Sequence, residues 1–218
     1  MTKPTLLISG DSYMALHKDG IGTPESVEKD NQIHWSRHLD PYFEIQNVAK
    51  AGSSNTSIVY RLVEAIKKQK PDYILIGFTD YARLEYNKYE TNCHPSIQKD
   101  KSAYNAWKQY IKYADDDYMR YKSMAIIEYA VTLARSIAPT CFALNLLNPS
   151  DSDWSFYNKH QFMINFEKES LPVNLSDYPE ISLNDPNWKS FHVVDPKVHE
   201  KFAETILDEF NICKSDKV

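Results

Sequence analysis

What most constrains this chain is a pattern that occurs three times: a short strand-like run that ends in a small, polar turn containing glycine. Thr5–Ser9 is apolar and short, and Gly10-Asp11-Ser12 turns off its end. Phe43–Val48 alternates apolar and polar residues and leads into Gly52-Ser53-Ser54-Asn55. Pro71–Ile76 is followed by Gly77-Phe78-Thr79-Asp80. Runs of this length and composition read as strands. After the second turn, Ile58, Val59, Leu62, Val63 and Ile66 recur at helical spacing. Strand, turn and helix alternating in this way predict a parallel sheet with helices on both faces. Ligands bind outside the carboxyl ends of the strands in such a sheet, which is where these turns lie. The chain has only 5 glycines, so those at 10, 52 and 77 stand out as positions that only glycine suits.

The remaining segments complete this layout. Tyr13–Asn31 is a polar loop, and Ile33–Leu39 fits a short amphipathic helix with Trp35 as a core anchor. Any of Ser54, Asn55, Thr56 and Ser57 can cap the helix that runs to Lys68. Tyr104, Trp107, Tyr110, Ile111 and Ala114 fit one helix, and Asp115–Asp117 make an acidic start to the next helix. That helix, Met119–Ile137, turns Met124, Ile127, Val131 and Ala134 inward and ends at Pro139. Thr140–Leu147 is a fourth strand. Pro149–Pro186 is either a substrate lid or a surface insertion, with a short helix expected within Phe156–Glu169. A closing helix runs from Pro196 to about Phe210, capped by Asp195, with Val198, Phe202, Ile206 and Phe210 buried. The expected organisation is a single domain over residues 1–218, with insertions at about 87–118 and 149–186.

Composition excludes several functions. A formal net charge of −5 argues against sequence-independent nucleic-acid binding, which needs a basic face. Cys93, Cys141 and Cys213 have neither a disulfide framework nor zinc-ligand spacing, and Cys93, His94 and His160 carry no ligand pattern. No cofactor or metal is expected. The sequence shows no signal peptide and no membrane-spanning run, so a cytoplasmic setting without membrane contact is expected.

A serine set at a strand end by a tight turn is a candidate nucleophile, and backbone N–H groups at a helix start suit a developing negative charge. With these features in order, the chain resembles the SGNH (GDSL-type) hydrolase superfamily. The matching blocks are Gly10-Asp11-Ser12, Asn47–Asn55, Ile76–Asp80, and His192 ahead of the helix Asp195–Ala203. The resemblance runs over nearly the whole chain and implies an α/β fold, a three-layer α/β/α sandwich with a flavodoxin-like parallel sheet. It makes Ser12 the nucleophile and His192 its general base. It makes the N–H groups of Ser12 and Gly52, with the side chain of Thr79, the oxyanion hole. Asp11, Asn55, Asp80 and Arg83 are the candidate substrate-binding residues, Arg83 being suited to an anionic substrate group or to a solvated pair with Glu85.

The chain departs from the family pattern at two positions. Thr79 stands where the family usually has asparagine, and Lys189 where it usually has an aspartate three residues before the histidine. Asp185 is then the acidic partner, or a backbone carbonyl orients His192 in a Ser–His dyad. His199, inside the closing helix, reads as structural and is the runner-up base. The Gly-Phe-Thr-Asp-then-Arg pattern is similar to that of some phage-encoded members. The implied function is a serine esterase or deacetylase acting on a small acyl ester, with O-acetylated carbohydrate as the substrate class. The alternative is a catalytically decayed relative that binds a sugar or a protein on the same fold.

Overall fold

The computed structural model describes residues 2–11, 14–16, 34–50, 52–79, 81, 85–86, 89–90, 100–145, 163–165 and 196–212. Strands β1 (Thr5–Ser9), β2 (Glu44–Asn47), β3 (Tyr73–Thr79), β6 (Thr140–Asn145) and β7 (Met163–Asn165) form one sheet in the order β2-β1-β3-β6-β7. Every neighbouring pair in it is parallel. Two short strands, β4 (Glu85–Tyr86) and β5 (Tyr89–Glu90), pair antiparallel as a separate ribbon. The helices are a 3-10 turn at Trp35–Leu39, α1 (Asn55–Lys68), α2 (Lys101–Tyr113), α3 (Asp116–Ile137) and α4 (Pro196–Glu209).

Strand alternation divides the core into two layers. Leu6 and Ile8 of β1, Leu75 of β3, and Cys141 and Ala143 of β6 pack with Trp35, Leu39, Phe202 and Ile206 under the 3-10 turn and α4. Leu7, Ile74, Ile76, Phe78 and Phe142 point the other way, against Ile58 and Leu62 of α1 and Ile127, Val131 and Ala134 of α3. The result is the expected three-layer α/β/α sandwich. Trp35 is fully buried and meets Phe202 edge to face, with ring centroids 5.0 Å apart.

The helix ends follow from their side chains. Ser54 caps α1 by accepting the Ser57 N–H, Asp100 caps α2 through Ala103, and Asp115 caps α3 through Tyr118. Asp116 and Asp117 in the first turn of α3 favour its dipole. Asn211 takes a φ of 55° just beyond α4, the left-handed stop that asparagine tolerates.

Three details go beyond the sequence reading. Within Phe156–Glu169, where a short helix is expected, residues 163–165 form the edge strand β7, paired to β6 through Phe142↔Met163 and Leu144↔Asn165, and the rest of that segment lies outside the described residues. The β4–β5 ribbon was not foreseen. In α2, Tyr110 is exposed and Ala103 is buried, with Tyr104 and Trp107 packed against it. The Tyr13–Asn31 loop, apart from 14–16, lies outside the described residues, as do the Asp195 cap and the segment Pro149–Pro186 apart from 163–165.

Candidate active site

The strand order itself marks the site. From β1 the chain moves outward to β2, then crosses back so that β3 lies on the other side of β1. Ligands in open α/β sheets bind at that reversal, beyond the carboxyl ends of the two strands flanking it. Those ends are Ser9-Gly10-Asp11 and Phe78-Thr79, residues of the first and third sequence blocks.

Met14 sits directly on this junction. A Cβ added to Gly10 would come within 2.6 Å of the Met14 side chain, and one added to Gly77 within 2.7 Å of its sulfur. Neither strand end can carry a larger residue while Met14 is seated there. The buried Asp11 starts the turn: its carbonyl accepts the N–H groups of Met14 and Ala15 at 3.2 and 3.0 Å.

The second block is tied to the first by hydrogen bonds. Val48 N–H donates to Ile8 O at 2.8 Å, and Lys50 N–H to Gly10 O at 3.1 Å. Asn47 donates its amide to Met14 O at 2.8 Å and accepts the Ala49 N–H at 2.9 Å. Gly52 follows with a φ of 77°, a left-handed conformation that costs a residue with a Cβ about 1–2 kcal/mol. The turn then enters the N-terminus of α1, where Ser53, Ser54 and Asn55 are all buried.

Asn55 ties this helix start to the third block. Its Oδ1 accepts the Thr79 N–H at 2.9 Å, and its Nδ2 donates to Thr79 O and to Ser123 Oγ of α3, both at 2.8 Å. The amide of Asn55 is therefore used in holding the end of β3, which describes a strut between three elements. Thr79 is fully buried, and among the described residues its Oγ1 has no hydrogen-bond partner. Its strand parity matches Leu75 and Gly77, the α4 face of the sheet.

Just beyond, the Tyr81 hydroxyl donates to Asp116 Oδ1 at 3.0 Å, and the Arg120 guanidinium lies 4.8 Å from the Tyr81 ring centre. Burial, ahead of the effects of Arg120 and Asp116, pushes the Tyr81 phenol above its ordinary value, so it remains a donor. On the opposite flank, the His199 ring accepts the Trp35 N–H at its Nδ1, 3.1 Å away. That is a structural use of His199.

Of the predicted site residues, the structure brings the turns of Asp11, Gly52, Asn55 and Thr79 into one hydrogen-bonded neighbourhood. Ser12, Asp80, Arg83, Asp185 and His192 lie outside the described residues. Sequence reasoning passed over Met14, Arg61 and Ser123, whose roles depend on contacts that no spacing rule encodes. Among the described residues, no group of His, Cys, Asp and Glu side chains could hold a metal ion, and no helix is long and apolar enough to cross a membrane.

Neither a protein-family model nor a curated protein matches this sequence. Solved structures do. TesA aligns with a TM-score of 0.50 at 11% identity, over 94% of this chain and 97% of its own. A catalytic mutant of Axe2, an acetylxylan esterase from Geobacillus stearothermophilus, aligns with a TM-score of 0.51 at 15% identity, over 97% of this chain and 96% of its own. At these identities the likeness is one of fold. With the strand order, it gives this chain the same α/β fold as these two structures, which is the fold that the resemblance of its sequence blocks implies.

Proposed function

We propose that this protein is a serine ester hydrolase that removes a small acyl group, with O-acetylated carbohydrate as its substrate class. The observation that carries this reading is the hydrogen-bonded union of three strand-end turns at the point where the sheet order reverses. Gly10-Asp11, the Gly52 turn and Thr79 are held together there by Lys50, Asn47 and Asn55. Ester hydrolysis needs this kind of place: a nucleophile at one turn and fixed donors at the others. The acetylxylan esterase of the same fold supports acetyl esters on sugars as the first substrates to test.

In this reading the Ser12 oxygen attacks the ester carbonyl carbon while His192 takes the hydroxyl proton. The oxyanion is met by the N–H groups of Ser12 and Gly52 and by the Thr79 hydroxyl. Collapse expels the alcohol, which leaves with the proton from His192. Water then attacks the acyl-enzyme with His192 again as base, releasing the acid and restoring Ser12. Asp185 or a backbone carbonyl orients His192. Asn55 acts by positioning Thr79, while Asp11, Asp80 and Arg83 shape the substrate side of the turns.

The test is hydrolysis of a chromogenic acetyl ester, with fluorophosphonate labelling, for the wild type, Ser12→Ala and His192→Ala. Turnover and labelling that both disappear in Ser12→Ala are expected. Labelling that persists without Ser12, or a wild type inert to several acyl esters, overturns the esterase and leaves a binding protein on this fold.

A further inference from the structure

Resting on the ester-hydrolase reading, we propose that Arg61 is a positioning residue for the oxyanion hole, acting by clamping the turn that carries Gly52. Arg61 lies in the second turn of α1 and is half-buried. Its Nε donates to Val48 O at 3.0 Å, and its Nη2 donates to Ser53 Oγ. Ser53 Oγ in turn donates to Lys50 O at 2.6 Å. The guanidinium therefore holds residues on both sides of Gly52, from Val48 to Ser53.

This bracing fits what the turn needs. Gly52 lies in the left-handed region, where glycine has wide freedom and little intrinsic preference. The direction of its N–H must then be fixed by the residues around it. The β1 side of the turn is anchored by Val48 and Lys50 to Ile8 and Gly10. The α1 side has Arg61, a planar fork that satisfies two acceptors in fixed directions. A lysine at this position offers a single point charge and cannot span both. An oxyanion donor is effective only when it is already aimed at the place where charge develops, so a small rotation of the turn lowers the rate without weakening ground-state binding.

The experiment is steady-state hydrolysis of a chromogenic acetyl ester by the full chain as wild type, Arg61→Met, Arg61→Lys, Ser53→Ala and Ser12→Ala, with thermal melts of each. Arg61→Met is expected to lower kcat on the order of a hundredfold with KM nearly unchanged, since small misplacements at a reacting centre have that effect. Arg61→Lys falls in the same direction, and Ser53→Ala falls less because the Val48 bond survives. A further variant, Arg61→Ala, serves for rescue: added guanidinium at millimolar concentration is expected to restore its kcat in part, which general destabilisation does not allow. A folded Arg61→Met with kcat within about twofold of wild type overturns the role of Arg61 and leaves the hydrolase standing. If Arg61→Met fails to fold, Ser53→Ala and Arg61→Lys decide: wild-type kcat in both overturns the clamp. A wild type with no Ser12-dependent turnover overturns the hydrolase reading and the clamp together.

Discussion

Thr79 carries the sharpest question at the scale of single residues. A hydroxyl that is buried without a hydrogen bond costs about 1–3 kcal/mol relative to a satisfied one. Such a group calls for an explanation, of which a catalytic role is one. Threonine and valine have nearly the same shape, so Thr79→Val removes the hydroxyl with little change in packing. The variant is expected to match or exceed wild-type stability in urea, because nothing hydrogen-bonded to Oγ1 is lost. If the hydroxyl serves the oxyanion, kcat falls on the order of a hundredfold in the same variant. The opposite signs make the result decisive: a stable Thr79→Val with full kcat reduces Thr79 to a packed strand end. Asparagine would reach further from this position, but Asn55 already occupies the backbone of Thr79 from the α1 side.

Helix α1 is the element on which the site depends. Its first residue, Asn55, holds β3, and its second turn holds the Gly52 loop through Arg61. Its N-cap, Ser54, lies between them and accepts the Ser57 N–H at 3.2 Å. Ser54→Ala leaves that donor unsatisfied and is expected to cost about 1 kcal/mol, read as a lower urea midpoint with an unchanged m-value. Because the cap sits between the two struts, fraying there loosens both turns, and kcat should fall by more than KM rises. A Ser54→Ala variant with the full stability loss but unaltered kcat would separate the helix end from the site. The elements behind this site differ in how readable they are. β1 and β3 are legible because continuous apolar runs such as Leu6-Leu7-Ile8 and Ile74-Leu75-Ile76 are buried on both faces. α1 and α3 are legible because their stripes recur at helical spacing. β7 is not, since three residues are too few to show a period, and Met163–Asn165 is strand only because β6 offers it an edge. The glycines at 10 and 77 could be singled out, but not the reason for them, which is a Met14 side chain brought there by the fold.

At the scale of the whole molecule, Cys141 reports on whether the layers hold together. It lies in β6, an interior strand between β3 and β7, is 1% exposed, and faces the α4 layer. Burial, with a smaller contribution from Glu209, pushes its thiol up to about 12 from an ordinary value of 9.0. The folded protein therefore keeps Cys141 protonated throughout the neutral range, and a protonated, enclosed thiol does not react with alkylating agents. Labelling at Cys141 is expected only through global opening, because α4 covers it on one side and neighbouring strands flank it on both edges. Peptide mapping after iodoacetamide treatment in increasing urea should give a Cys141 midpoint that coincides with loss of far-UV circular dichroism. The same burial fixes a pH dependence. A folded-state value above the unfolded one means that the folded form binds the proton more tightly. This contribution to stability is thus fully present below about pH 9 and is lost progressively as pH rises towards about 12. Removing the thiol, Cys141→Ala, should flatten that alkaline fall while adding the smaller penalty of a core cavity at every pH. Rapid labelling of Cys141 in buffer, with circular dichroism intact, would mean that α4 leaves the sheet without global unfolding. The helix that follows the last sequence block would then be a separately opening unit.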